Sequence, residues 1–196
     1  MKAHDAELAK PPEGWQPPLP RVGLGYDVHR LVARRRAGKP LILAGVEVAS
    51  RRGPLAHSDG DTLIHALIDA LLGAAALPDI GRQFPPTDAQ YRNASSRLLL
   101  RQVADLTRRE GFQPWNVDCV VLLERPRLAQ YIPLMRSNLA ADLGVTEQRV
   151  SVKAKTRERL GAVGRGRAVE AWAVVLLAAV PQATPPVSRG KPTRHA

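Results

Sequence analysis

His57-Ser58-Asp59-Gly60-Asp61-Thr62-Leu63-Ile64-His65-Ala66-Leu67-Ile68-Asp69-Ala70-Leu71-Leu72-Gly73 places three carboxylates and two imidazoles in a segment that otherwise reads as an apolar helix. The Ser, Asp and Gly residues at its front are capping and turn residues, while Leu63, Leu67, Ala70 and Leu71 recur at helical spacing as a core-facing stripe. The spacing predicts a helix that starts between Asp59 and Asp61 and runs to about Leu77. His65 then sits one turn inside it, with Asp61 and Asp69 four residues away on the same face. Carboxylates so placed would orient the ring as a metal-ligating imidazole requires. A lone histidine near an apolar face is more often a satisfied core or surface residue, so the metal reading needs partners.

Those partners lie upstream. In Arg21-Val22-Gly23-Leu24-Gly25-Tyr26-Asp27-Val28-His29-Arg30-Leu31 the apolar alternation predicts a strand that ends at a loop. Residues i and i+2 of an extended chain point the same way. Asp27 and His29 would therefore project together from the strand's end. With His65 they make one oxygen and two nitrogen ligands, a set that suits zinc with a fourth position open, or less selectively manganese or iron. The plain alternative for Asp27 and His29 is a turn residue beside a surface histidine.

Composition narrows the function classes. The chain has 196 residues, enough for one domain with a real core, and 44% of them are hydrophobic. Aromatic residues are only 4%, so base stacking is a minor resource. Cys119 is the only cysteine, sits in an apolar run and has nothing within the chain to pair with, which fits a cytoplasmic setting. No apolar run reaches membrane-spanning length, and no secretion signal is expected. The net charge is +11, but the cations fall in small groups (Arg34 to Arg36, Arg51-Arg52, Arg108-Arg109, Arg125 and Arg127) rather than in a block interleaved with aromatics. A solvated surface, or attraction for a diphosphate, accounts for them better than specific nucleic-acid binding.

Residues 1–20 and 181–196 are proline-rich and are expected to be extended or disordered additions to a domain at 21–180. Within it we expect strands at Arg21 to Tyr26 and Leu41 to Val48, the helix from Asp61, and a helix over Ser95 to Gly111. Next come a strand at Val117 to Leu123, a helix at Ile132 to Leu143 ended by Gly144, and a strand at Val150 to Lys155. Ala168 to Val180 is ambiguous, since its alanines favour helix while the Val174-Val175 pair suits a buried strand. This order suggests an α/β fold, an α+β sandwich with helices packed on one side of a sheet.

Taken with Asp79-Ile80-Gly81, Phe84-Pro85, Asn116-Val117-Asp118, Pro126, Lys153-Ala154, Thr156, Glu158, Leu160-Gly161 and Gly164-Arg165-Gly166, the two opening segments resemble the 2-C-methyl-D-erythritol 2,4-cyclodiphosphate synthase family. The resemblance is collinear from about Arg21 to Val180. It implies a strand at Ala168 to Val180 and a homotrimer with its sheets around a central axis and its active sites between subunits. It also implies a reaction of the non-mevalonate isoprenoid pathway, in which the 2-phosphate of a cytidylyl-methylerythritol phosphate attacks its own diphosphate, expels CMP and closes a ring. A phosphate monoester with a second pKa of about 6 is largely ionised near neutrality, so no protein nucleophile or strong base is demanded. Alignment and positive charge are what the protein must supply.

The resemblance further assigns roles. Asp27, His29 and His65 would hold a zinc ion whose open position takes a phosphate oxygen. Glu158, otherwise a surface partner for Arg157 or Arg159, would hold magnesium or manganese with the substrate's phosphates. His57 and Thr156 match positions that stabilise the transition state. Ser58 would donate to substrate, though a helix cap is as good a reading. Asp79, Ile80, Gly81, Phe84, Pro85, Pro86, Thr87 and Asp88 match a substrate-contacting loop. Leu123, Glu124, Arg125, Pro126, Arg127, Leu128 and Ala129, with Ala154, Lys155 and Thr156, match a cytidine pocket supplied by a neighbouring subunit. Arg157, Ala162 and Arg165 complete the expected substrate contacts. Pro86, Lys155, Arg157, Ala162 and Arg167 depart from frequent family residues, and none of these changes touches the zinc set. Two other readings remain open at this point: a divalent-metal phosphohydrolase and a non-enzymatic basic module that binds polyanions.

Overall fold

The computed structural model of the chain describes residues 19–37, 39–85, 87–91 and 94–180. Most of both proline-rich ends, and Pro86, lie outside them. The alternation that begins at Val22 carries further than expected. Strand β1 spans Arg21–Ala33 and runs straight into the short helix α1 (Arg34–Ala37), so Asp27 and His29 lie within the strand and not at its tip. The stretch Leu41 to Val48, expected as one strand, is a hairpin. Strands β2 (Leu41–Leu43) and β3 (Val46–Val48) pair antiparallel across Ala44 and Gly45. Both turn residues have positive φ, 49° and 71°, as in the two-residue turns whose twist matches that of the flanking strands. Ala44 carries no turn signal, which is why the apolar run reads as continuous.

Strand β4 (Arg52–Pro54) pairs with the end of β1. Helix α2 (Thr62–Ala74) follows, then α3 (Ile80–Gln83), α4 (Ser96–Arg109), β5 (Phe112–Leu122), α5 (Ile132–Leu143), β6 (Val150–Lys155), α6 (Gly161–Gly164) and β7 (Ala168–Ala179). Gly144 ends α5 in the left-handed conformation, φ 69°, a backbone that costs glycine little. The ambiguous C-terminal element is a strand. β7 lies at the centre of a five-stranded sheet of order β4-β1-β7-β5-β6, antiparallel throughout except for the parallel β5/β6 pair. The fold is therefore mixed α/β, with helices packed on one side of the sheet.

Two glycines set the distance between the layers. A Cβ on Gly25 would lie 1.9 Å from the Ala66 carbonyl oxygen, and one on Gly23 would lie 1.9 Å from that of Ala70. Helix α2 thus rests directly on the β1 backbone. Four helical residues advance about 6 Å and two strand residues about 6.7 Å, so the two elements stay nearly in step. Continued by one step from Gly25, β1 reaches Asp27 as α2 reaches its first turn and His65. The core fills the space around this contact, with Leu63, Ile64, Leu67, Ile68, Leu71 and Leu72 fully buried against β1, β7, α4 and their neighbours.

Candidate active site

Local sequence places each donor before packing gathers them. Asp61 caps α2, accepting from Ile64 N at 3.1 Å, and also accepts from Ala44 N at 2.9 Å and Gly45 N at 2.7 Å. One buried carboxylate thereby ties the hairpin turn to the start of the helix. Burial pushes this carboxyl up to about 6, opposed by those backbone N–H groups. Asp69 accepts from Ile80 N at 2.8 Å and so anchors α3. The sequence reading put Asp61 and Asp69 beside His65 as its orienting carboxylates; the structure gives both to backbone amides instead.

The carboxylate that His65 meets comes from β1. Asp27 Oδ2 lies 3.1 Å from His65 Nδ1 and 3.6 Å from His29 Nε2, and the candidate donor atoms of the three residues lie within 4.8 Å of one another. A tetrahedral ion with bonds of about 2 Å holds its donors roughly 3.3 Å apart, and the two distances from Asp27, 3.1 and 3.6 Å, are already near that spacing. His29 supplies the test of fit. Its Nδ1 lies 3.0 Å from the Val28 carbonyl oxygen, which an N–H there satisfies. Its Nε2 is buried with no hydrogen-bond partner among the described residues, an uncommon state for a polar atom unless a ligand completes it. The group can therefore bind a metal ion.

Charge in the trio follows the same geometry. For Asp27 burial favours the neutral acid, but the hydrogen bond from His65 and the nearby imidazoles hold its pKa below the ordinary value. Burial lowers the pKa of His29, with Asp27 opposing. Burial would lower that of His65 too, yet the hydrogen bond and charge of Asp27, with Asp61 and Asp59 behind it, carry it above normal.

His29 and His65 open on a cavity of about 620 Å³ lined also by His57, Ser58, Ile80, Gly81, Phe84, Thr87 and Asp88. These residues, predicted from distant parts of the sequence, share one space. Leu55, Ala56, Tyr91 and Leu99 also line it and went unread, because nothing separates a lining apolar residue from a core one in sequence. Phe84 and Tyr91 meet edge to face at 5.2 Å. Asp79 caps α3, its side chain accepting from Arg82 N at 2.9 Å on an exposed edge. Lys39, also unread, donates to the carbonyls of Ala56 at 2.8 Å, His57 at 3.2 Å and Ser58, and so braces the loop that carries His57.

The remaining predicted residues collect elsewhere. Glu124, Arg125, Pro126, Arg127, Thr156 and Glu158 line a second cavity of about 920 Å³, with Ala49, Ser50, Arg51, Arg52 and Arg159. Leu123, Leu128, Ala129, Ala154 and Lys155 line a smaller neighbour of about 140 Å³. Thr156 Oγ1 donates to Glu158 Oε1 at 2.7 Å. Glu158 and Arg159 have φ of 48° and 64°, a left-handed backbone that costs a non-glycine residue about 1–3 kcal/mol and tends to occur where function holds it. The Arg157 side chain turns to Glu170 at 3.4 Å, while Ala162 and Arg165 are exposed at α6.

Residues 20–178 match the sequence model of the YgbB family. The chain belongs to the YgbB family. Among its relatives in that family is the 2-C-methyl-D-erythritol 2,4-cyclodiphosphate synthase of Chromobacterium violaceum, 54% identical over 158 residues that cover 81% of this chain and 98% of the relative. Solved structures agree with this. IspF of Plasmodium falciparum in complex with CDP superposes with a TM-score of 0.71 at 33% identity, covering 82% of this chain and 97% of that one. The bifunctional IspDF of Campylobacter jejuni gives a TM-score of 0.77 at 42% identity over 82% of this chain, which spans 42% of that longer protein. In this YgbB chain no helix among the described residues is long and apolar enough to cross a membrane.

Proposed function

We propose that the protein converts 4-diphosphocytidyl-2-C-methyl-D-erythritol 2-phosphate to 2-C-methyl-D-erythritol 2,4-cyclodiphosphate with release of CMP. The observation that carries this reading is the convergence of Asp27, His29 and His65, with His29 and His65 lining a cavity shared with His57, Ser58, Ile80, Gly81, Phe84, Thr87 and Asp88, in a chain 54% identical to a named synthase of this kind. At the trio we place zinc, with manganese or iron as lesser fits to two imidazoles and a carboxylate. Glu158 would hold magnesium or manganese together with the substrate's phosphates. When bound, the zinc ion supplies Lewis-acid polarisation of a phosphate group.

The chain's own residues do the rest. Ser58 and His57 offer donors at the mouth of the trio, and the loop from Ile80 to Asp88 encloses the methylerythritol. Thr156 is held beside Glu158 by their hydrogen bond, where its hydroxyl can serve developing phosphate charge. Arg125 and Arg127 bring positive charge to the nucleotide end, and Leu123 to Ala129 with Ala154 and Lys155 shape the cytidine pocket. Both reacting groups are anions, so this charge and alignment lower the barrier without a protein nucleophile.

One chain cannot do this alone. His29 and His65 line a cavity that shares no lining residue with those of the cytidine residues, whereas the substrate must touch both at once. A neighbouring copy must complete each site. The sheet face opposite the helices is apolar and, among the described residues, uncovered: Val22 and Leu24 of β1 are 66% and 61% exposed, with Trp172 and Val174 of β7 beside them. We place this face at the axis of a homotrimer. The catalytic unit is taken as residues 21–180, in a cytoplasmic enzyme whose one cysteine is buried and unpaired.

Incubation of the purified protein with the cytidylyl substrate, zinc and magnesium tests the reading. Cyclic diphosphate and CMP in equal amounts are expected, and His65→Ala should abolish both zinc uptake and turnover. A linear hydrolysis product would mark a phosphohydrolase, and no turnover would leave only polyanion binding.

A further inference from the structure

Behind His65 lies a chain of hydrogen bonds that the metal reading does not use. Nε2 of His65 lies 2.9 Å from Ser96 Oγ, and Ser96 Oγ lies 2.5 Å from Asp59 Oδ1. Asp59 Oδ2 also accepts from Ser96 N at 2.8 Å, and Oδ1 accepts from Asp61 N at 3.3 Å. Ser96 is fully buried at the start of α4.

The direction of each bond follows from the groups. An ionised carboxylate only accepts, so the Ser96 hydroxyl proton points at Asp59 and its oxygen is left to accept. The ring nitrogen that faces this oxygen can then donate to it. A neutral imidazole has one N–H, for which Ser96 competes with Asp27, whose carboxylate faces Nδ1 at 3.1 Å; a proton held on Nε2 leaves the Nδ1 lone pair free. Ser58 Oγ also approaches Nε2, at 3.2 Å, while accepting from Gly60 N at 3.1 Å. Its own proton is uncommitted, so Ser58 suits either tautomer and selects neither.

We propose that Ser96 and Asp59 are positioning residues that fix His65 as the Nε2–H tautomer and so reserve Nδ1 for metal ligation. The inference rests on the metal reading above. It extends the site to α4, a helix that contributes no candidate ligand. The bland alternative is that Asp59 merely anchors the first turn of α4 through Ser96 N. Ser96→Ala separates the two, since it keeps that backbone bond and removes only the hydroxyl.

The test uses the full chain, stripped of metal. ¹⁵N shifts of the His65 ring, read in zinc-free protein at a pH above its titration, should show Nε2–H in the unaltered protein and mixed tautomers in Ser96→Ala. Zinc affinity, read by competition with a chromophoric chelator, should fall on the order of ten- to a hundredfold, the usual effect of losing an outer partner of a ligating histidine. Asp59→Asn, which cannot accept from all three donors, should shift both readouts the same way and serves if Ser96→Ala does not fold. An Nδ1–H ring in the unaltered protein, or zinc affinity unchanged in the folded variants, overturns the proposal and leaves the metal site standing. Unaltered protein that takes up no zinc overturns the metal reading, and the proposal with it.

Discussion

At the scale of single residues, the site depends on which atoms hold protons. His65 must lose its Nδ1 proton before a metal can bind there, and Asp27 holds its pKa above the normal histidine value in the metal-free protein. His29 has a lowered pKa and is already neutral near pH 7. Metal binding therefore releases the His65 proton wherever that ring is still charged. Zinc affinity should rise roughly tenfold per pH unit below the His65 pKa and level off above it; chelator competition across pH 6 to 8 would register a flat profile if the trio were not the ligand set. Glu158 is a separate matter, since it lines a different cavity from His29 and His65. Glu158→Ala should leave zinc content at one ion per chain and raise the magnesium needed for half-maximal turnover, checked by elemental analysis beside a magnesium titration. The candidate ligand residues are legible in sequence because Asp-x-His on a strand and His within a capped helix are local patterns. Ser96 was not legible: at the head of a helix a serine reads as a cap, and its 31-residue separation from His65 hides the contact.

At the scale of elements, the site is as accurate as the seating of α2 on β1. Gly23 and Gly25 permit that seating, and any side chain there would meet backbone, which cannot swing aside. Gly25→Ala should push the helix outward at Ala66, next to His65, and cost about 3 kcal/mol or more in chemical denaturation, the upper range for overpacked cores. Zinc affinity should fall with it, because Asp27 and His65 would separate. A variant with unaltered stability and zinc binding would mean that the layers are not held at this distance. The glycines were visible in the sequence only as members of an alternating strand; their use required the helix above them. The hairpin at Leu41 to Val48 has the same lesson, since its turn is held partly by Asp61 from another element rather than by turn residues of its own.

At the scale of the whole molecule, one side of the sheet is a core and the other is an apolar face that the described residues of one chain leave exposed. Tyr26 and Trp172 pair there across β1 and β7, with ring centroids 4.5 Å apart. Leu24→Glu should leave a folded, zinc-binding monomer in sedimentation analysis, where the unaltered protein should sediment as three chains. Turnover in that variant should drop by on the order of a hundredfold or more, since reacting groups even slightly misplaced lose that much; a fully active monomer would refute the shared site. By itself the sequence determined the candidate donors, the helical and extended periods that aim them, and the layered class of the fold, because side-chain direction within an element is set by local backbone geometry. The tertiary structure alone decided that β7 is the central strand, that His65 meets Asp27 across 38 residues, and that His29 and His65 line one cavity while Leu123 to Ala129 and Thr156 line others. Those outcomes depend on how closely elements pack, and close packing is a property of facing surfaces that no single stretch of chain contains.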